Sequence, residues 1–177
     1  MMKTATELKG RLVRLRPKRA EDAALDYQWH RDPELSALHA KEPLKLSWED
    51  FQREFKIAYG SKTDSHLHFS IDNERGEYIG ECACHRIDRQ NSEGEIGISI
   101  NRADLRRRGY GSDAMKTLIN HLFNEVKLDR LTLKTLSANA PAQACFKRLG
   151  FVPTGYQEKG SYRFLTMELE RKNWVSA

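Results

Sequence analysis

The residues best suited to chemistry form one run, Asp104-Leu105-Arg106-Arg107-Arg108-Gly109-Tyr110-Gly111-Ser112-Asp113-Ala114. Three adjacent arginines lead into two glycines at the point where a helix is expected to begin. A helix start presents N–H groups that have no intrahelical acceptor, together with the positive end of the macrodipole. Glycine lets the backbone approach a ligand closely and take positive φ. Arginine adds charge and a fork of donors that matches phosphate. Together these features make a pyrophosphate-binding loop.

The flanking segments supply the elements that must position this loop. In Gly94-Glu95-Ile96-Gly97-Ile98-Ser99-Ile100 the isoleucines alternate with Glu95, Gly97 and Ser99, which predicts a strand with one apolar face. Gly97 within it predicts a bulge or a close backbone approach. After the loop, Met115, Leu118, Ile119, Leu122, Phe123 and Val126 lie on one face of a helix, with Ser112 as the expected N-cap. Leu128 to Leu136 then reads as a second strand. Strand, helix, strand predicts a βαβ unit with parallel strands.

Other glycine-rich loops fit less well. No G-x-x-x-x-G-K-[ST] run exists, which excludes a P-loop. Gly109-Tyr110-Gly111-Ser112-Asp113-Ala114 matches the spacing of a dinucleotide-binding loop. However, Asn101 to Arg108 separates it from its strand, and Asp129 precedes the next strand rather than following it.

Arg106-x-x-Gly109-x-Gly111 resembles the [QR]-x-x-G-x-[GA] loop of the GNAT acetyltransferase superfamily. Asn139-Ala140-Pro141-Ala142-Gln143-Ala144-Cys145-Phe146-Lys147-Arg148-Leu149-Gly150-Phe151 resembles that family's second signature. Leu12 to Pro17, followed by Ala20-Glu21-Asp22, is similar to its first strand and helix entrance. The resemblance spans roughly 10 to 169. The first helix, with its tryptophan and its Asp-Pro, resembles the branch that acetylates protein N-termini, notably of ribosomal proteins.

The resemblance implies a mixed α/β fold in which the strands carrying Ile98 and Leu133 splay apart to admit acetyl-CoA. Pantetheine would then pair with backbone groups along Ile98, Ser99 and Ile100. Pyrophosphate would meet Arg106, Arg107, Arg108, Gly109, Tyr110, Gly111 and Ser112. Asn139 would bond pantetheine or cap its helix, and Phe146 would pack against the cofactor. A backbone N–H near Ile98 could hold the thioester oxygen.

Transfer of acetyl to an amine needs a neutral nucleophile. Freeing an α-amine, with a reference pKa of about 7.7–8.0, costs roughly 3 kcal/mol less at neutral pH than freeing a lysine amine near 10.4. An N-terminal acceptor therefore tolerates a weak base. Glu95 is the candidate base, and its alternative role is a surface or strand-pairing glutamate. Glu81 on the neighbouring strand is a second choice. Tyr27 and Trp29 are core residues or walls of the acceptor pocket. Where family members place a tyrosine or serine as thiolate acid, this chain has Phe146 and Ala142. Cys145, Ser137 and Tyr156 are the substitutes in reach.

The remaining features bound the function class. One domain over 1–177, with a core at about 10–170, fits the length. The expected order is β-α-α-β-β-β-α-β-α-β-β. The net charge of +5 is explained by a polyanionic cofactor and a mixed surface, and no nucleic-acid signature accompanies it. No apolar run reaches membrane-spanning length, Met1 to Thr6 carries no signal region, and three cysteines do not make a disulfide framework, so a cytoplasmic protein is expected. Cys82 and Cys84 share a strand face while His85 points away, which favours buried thiols over a metal site. The resulting expectation is an acetyl-CoA-dependent N-acetyltransferase without a metal, acting on a protein α-amine and compatible with a homodimer. A polyamine or aminoglycoside acceptor, and a non-catalytic acyl-CoA sensor, stand as alternatives.

Overall fold

Alternation of apolar and polar residues dictates most of the strands, and a computed structural model describes residues 7–60 and 65–175. The strands are β1 (Leu8–Lys9), β2 (Val13–Arg16), β3 (Leu67–Asn73), β4 (Tyr78–Asp88), β5 (Glu93–Ile100), β6 (Arg130–Leu136), β7 (Val152–Lys159) and β8 (Tyr162–Glu170). The helices are α1 (Ala23–Arg31), α2 (Pro33–Leu38), α3 (Trp48–Gly60), α4 (Tyr110–His121) and α5 (Ala140–Arg148). All eight strands form one sheet in the order β1-β2-β3-β4-β5-β6-β8-β7. Pairing is antiparallel except between β5 and β6, where the intervening α4 carries the chain back to start a parallel strand.

Two elements depart from the expected order. Leu8–Lys9 pairs with Arg14–Leu15 as a short edge strand. Asp32 both ends α1 and starts α2. Asp32 Oδ1 accepts from Glu34 N–H at 2.8 Å and Leu35 N–H at 3.1 Å, and Pro33 occupies the first turn, where its missing N–H costs nothing.

Lys18–Thr63 forms one compact unit, and Met1–Pro17 with Asp64–Ala177 forms another. Within the first, Ala23, Phe51 and Phe55 are buried, with Tyr27, Leu44 and Trp48 packed on them. Ser47 caps α3 by accepting from Asp50 N–H at 3.1 Å. Lys18 and Asp26 form a buried ion pair at 2.6 Å.

The second unit contains the sheet. Its apolar face is filled by Leu15, Phe69, Ile71, Cys82, Cys84, Ile96, Leu131, Leu133, Leu165, Met167 and Leu169, packed with Met115, Leu118, Ile119, Leu122 and Phe123. A π-helical turn, Leu122–Val126, ends the α4 segment, and Lys127 leaves it with positive φ. Asp113 ties α4 to the start of β2, its Oδ2 accepting from Leu12 N–H at 2.7 Å and Val13 N–H at 3.1 Å. Arg16 and Asp72 pair at 2.7 Å in a buried position.

Candidate active site

The parallel strands β5 and β6 pair only over Glu93–Arg130, Gly94–Leu131 and Glu95–Thr132. Beyond Glu95 the ladder between them ends, while β5 continues against β4 up to Ile100–Gly80. β6 meanwhile remains paired with β8 through Leu136–Phe164. Two strands anchored on opposite sides thus part company and leave a wedge, along one side of which runs the β5 edge over 96–100. An extended ligand with amide groups fits such an edge.

The arginine loop lies at the far end of that edge. Gly109 is the N-cap of α4 at φ 90°, a conformation that an L side chain resists. Ser112 therefore lies inside the helix, and the expected cap moves three residues upstream. The first helical bond runs from Asp113 N–H to Gly109 O at 3.0 Å, so the N–H groups of Tyr110, Gly111 and Ser112 precede it. A Cβ on Gly111 would meet Ile100 and Ile98 at 3.6 and 3.9 Å, which is ordinary contact. Core packing does not demand glycine there, whereas close approach of a ligand would.

The three arginines diverge in role. Arg106 donates from Nε to Ile100 O at 3.0 Å and fastens the loop to the end of β5. Arg107 takes φ 61°, and both Arg107 and Arg108 are exposed. Asp104 beside them is held by Arg102 through a fork at 2.9 and 2.8 Å, and the Arg108 charge adds a smaller attraction. The Tyr110 ring points elsewhere, its hydroxyl donating to Glu74 Oε1 at 3.0 Å. That bond raises the Tyr110 pKa.

The opposite face of the same strands is polar. Register places Ser70, Glu81 and Ser99 in one row, His68, Ala83 and Gly97 in the next, and His85 beside Glu95. Glu95 Oε2 lies 2.8 Å from Arg86 Nη1 and 3.6 Å from Lys134 Nζ. Glu81 Oε2 lies 3.2 Å from His68 Nε2. The Ser99 hydroxyl bonds Asn101 Oδ1. Gly97 keeps regular register, and the irregularity of this hairpin falls between His85 and Asp88, so the expected bulge at Gly97 is absent. Among the described residues, nothing lies within 4 Å of where a Cβ on Gly97 would be.

The sequence model of the acetyltransferase (GNAT) domain matches residues 12–152. The chain belongs to the GNAT acetyltransferases. An N-acetyltransferase 9-like protein of Caenorhabditis briggsae is 26% identical over 153 residues, covering 81% of this chain and 75% of that protein. The mouse alpha/beta-tubulin-N-acetyltransferase 9 is 24% identical over 184 residues, 96% of this chain and 75% of that protein. The structure of a spermidine N-acetyltransferase from Vibrio cholerae, in complex with CoA and spermine, superposes with a TM-score of 0.81 at 15% identity, covering 92% of this chain and 97% of that one. This GNAT chain is accordingly an N-acetyltransferase.

Within this GNAT sheet the signature residues occupy distinct environments. Asn139 caps α5, its Oδ1 accepting from Ala142 N–H at 3.2 Å, which commits the oxygen and leaves the amide nitrogen as the donor side. Phe146 is buried edge-on to Phe151, with centroids 6.1 Å apart. Gln143 donates to the carbonyls of Leu136 and Ser137 and pins the start of α5 to the end of β6.

The replacements considered for the missing acid separate clearly. Tyr156 is exposed on β7, its ring under the Arg163 guanidinium at 4.0 Å, and Ser137 is exposed. Cys145 is half-buried and in hydrogen-bonding contact with the Ser112 hydroxyl, so it links α5 to the first turn of α4. Burial raises its thiol pKa above the ordinary value, and the Ser112 bond partly offsets that. Cys82 and Cys84 are fully buried, and burial pushes the Cys84 thiol up to about 12.

Tyr27 packs against Trp48 and Phe51 at centroid distances of 5.2 Å, and its hydroxyl donates to Leu46 O at 3.0 Å. It is a packing residue of its own unit, and Trp29 there is half-buried. The His68–Glu81 pair escaped sequence reasoning as a unit. Each residue is legible as a strand residue, but their juxtaposition depends on the β3–β4 register, which carries no local signal.

Proposed function

We infer that this chain transfers acetyl from acetyl-CoA to a protein N-terminal α-amine in direct acyl transfer. The observation that carries the proposal is the parting of β5 and β6 beyond Glu95 and Thr132, in line with the open first turn of α4. Pantetheine lies along β5 at Ile98, Ser99 and Ile100. Its diphosphate meets the N–H groups of Tyr110, Gly111 and Ser112 and the charges of Arg107 and Arg108, while Arg106 keeps the loop in place. The amide nitrogen of Asn139 bonds pantetheine from the other wall, and Phe146 supports that wall from the core.

The acceptor arrives as an ammonium ion and loses one proton, through water, to Glu95. Its lone pair attacks the thioester carbon, the C–N bond forms, and the C–S bond breaks. The second amine proton ends on the departing sulfur, giving amide and free thiol. A backbone N–H of β5 near Ile98 stabilises the oxyanion. Glu95 already pairs with Arg86 and Lys134, so the base on this face is a carboxylate, a weak base by nature. Such a base suits an amine that is partly neutral at physiological pH. The tubulin N-acetyltransferase among the relatives supports a protein acceptor, and the spermidine N-acetyltransferase structure names the competing class.

The test is thiol release from acetyl-CoA with a panel of peptides bearing free or blocked N-termini, beside spermidine and an aminoglycoside. Acetylation of the free-N-terminus peptides, located by mass spectrometry on the α-nitrogen, is the expected result. Turnover confined to spermidine would overturn the acceptor assignment. CoA binding without turnover of any amine would make the chain a sensor.

A further inference from the structure

The two walls of the wedge can be counted on in register past the point where their ladder stops. The last paired row is Glu95 with Thr132, so the next row on the same face sets Gly97 of β5 against Lys134 of β6. Lys134 alternates with the buried Leu133 and Thr135 and therefore leaves β6 on the polar face. Across from it, among the described residues, the space over Gly97 is open to 4 Å from a built Cβ. The Lys134 ammonium nevertheless reaches β5, where its Nζ lies 3.6 Å from Glu95 Oε2. Its side chain thus crosses from one wall to the other at the row where the strands part. That side chain is 32% exposed, so water screens its charge only in part.

Two neighbouring cations stand elsewhere. Arg86, which also pairs with Glu95, comes from β4, and its side chain is 74% exposed. Arg130 pairs with Glu93, two residues before the ladder ends. Neither belongs to the open stretch of β6. The positions expected to carry a thiolate acid hold Phe146 and Ala142, which have no proton to give.

We propose that Lys134 is a catalytic residue of acetyl transfer, its ammonium facing the thioester sulfur and holding the departing CoA thiolate as an ion pair. This rests on the acetyl-transfer function proposed above and supplies the partner that its leaving group lacks. As the amine nitrogen attacks, the C–N bond forms, the C–S bond breaks, and the electron pair leaves on sulfur. Two reference values decide what a lysine does beside that sulfur, about 10.4 for an ammonium and about 8.5 for a thiol. An ammonium keeps its proton next to a thiolate, so it acts as a fixed charge placed where charge develops, not as an acid. The proton that sulfur finally takes is the one lost by the amine nitrogen, and Lys134 ends the cycle as it began. Glu95 keeps the ammonium at the wedge while the sulfur is still neutral.

The experiment binds free CoA to the protein without any acceptor and follows ionisation of the CoA thiol by ultraviolet absorbance across pH. The complex with desulfo-CoA subtracts the protein's own cysteines. Lys134→Met moves the ionisation of the bound thiol up by about one pH unit, the effect of losing one opposite charge at close range. Lys134→Arg restores it, because charge is what the site supplies. CoA affinity below the ionisation range stays within about twofold in both variants, which also shows that they fold. Lys134→Met lowers kcat about tenfold to a hundredfold at saturating amine, and Lys134→Arg recovers most of it.

The same ionisation pH in the wild type and Lys134→Met, or a Lys134→Arg protein that behaves like Lys134→Met, would overturn the assignment. Acetylation of Lys134 itself by acetyl-CoA would do so too, since an amide carries no charge. Because the titration contains no amine, it separates this assignment from the acceptor reading. Peptide acetylation that ignores Lys134→Met removes Lys134 and leaves the α-amine acceptor standing. Lys134-dependent ionisation and turnover of spermidine, with the peptides inert, does the reverse.

Discussion

The two faces of β5 divide the labour of this protein. Ile96, Ile98 and Ile100 turn towards α4 and the core, whereas Glu95, Gly97 and Ser99 turn towards ion pairs and open space. One face is bound by packing, which is unforgiving of lost volume. The other is bound by solvent-accessible charge, which contributes little to stability. A residue's face should therefore predict whether its loss is felt in folding or in chemistry.

The largest effect expected from this contrast is on stability. Leu118→Ala, at a fully buried position, should cost about 2–5 kcal/mol in denaturant unfolding, whereas Glu95→Gln on the polar face should stay within about 0.5 kcal/mol. Equal losses would erase the distinction between the faces.

A second contrast lies within the arginine loop. Replacing Arg107 and Arg108 together by Ala should weaken CoA on the order of tenfold to a hundredfold and flatten its salt dependence, because exposed charge is what they contribute. Arg106→Ala should also weaken CoA, but with the salt dependence kept, since its role is to fix the loop on Ile100 O. Calorimetry across a salt series separates the two.

On the chemical face, Glu95→Gln should lower kcat by about a hundredfold with CoA affinity unchanged, in line with loss of a general base. An unaltered pH–rate profile would return Glu95 to a purely electrostatic role with Arg86 and Lys134. A smaller effect concerns Cys145, which should be the thiol alkylated in the folded protein, several-fold more slowly once CoA covers the Ser112 turn, while Cys82 and Cys84 stay inert. Labelling followed by peptide mapping reads this directly.

The smallest effect is the pH dependence of stability contributed by His85. Loss of water around its ring, then the charges of His66 and His68, lower its pKa below the ordinary value, and Glu95 and Glu81 only partly oppose this. The unfolded chain then binds the proton more readily than the native one. The contribution is present above the ordinary imidazole range and is lost as pH falls through the lowered value. His85→Gln should flatten the unfolding midpoint between neutral and mildly acid pH.

Much of this was legible along the chain. The alternation in 94–100, the helical stripe from Met115 to Val126, and Gly150 following the last helix each map onto an observed element. Short elements were not legible. Leu8–Lys9 is a strand only because Arg14 and Leu15 lie beside it, and α2 is too short for a period to show. Ser112 carries the right chemistry for a cap, yet Gly109 starts the helix, since only the loop's path reveals where φ must turn positive.

Local spacing alone determined the arginine-glycine turn before a helix, the apolar stripe and the α/β order, because periodicity and turn chemistry are written over a few consecutive residues. Which carboxylate meets which cation, the end of the β5–β6 ladder at Glu95, and the empty volume over Gly97 were decided by the sheet. Those facts depend on register between strands as distant as β3, β5 and β6, and register is settled by the simultaneous burial of many side chains rather than by any one of them.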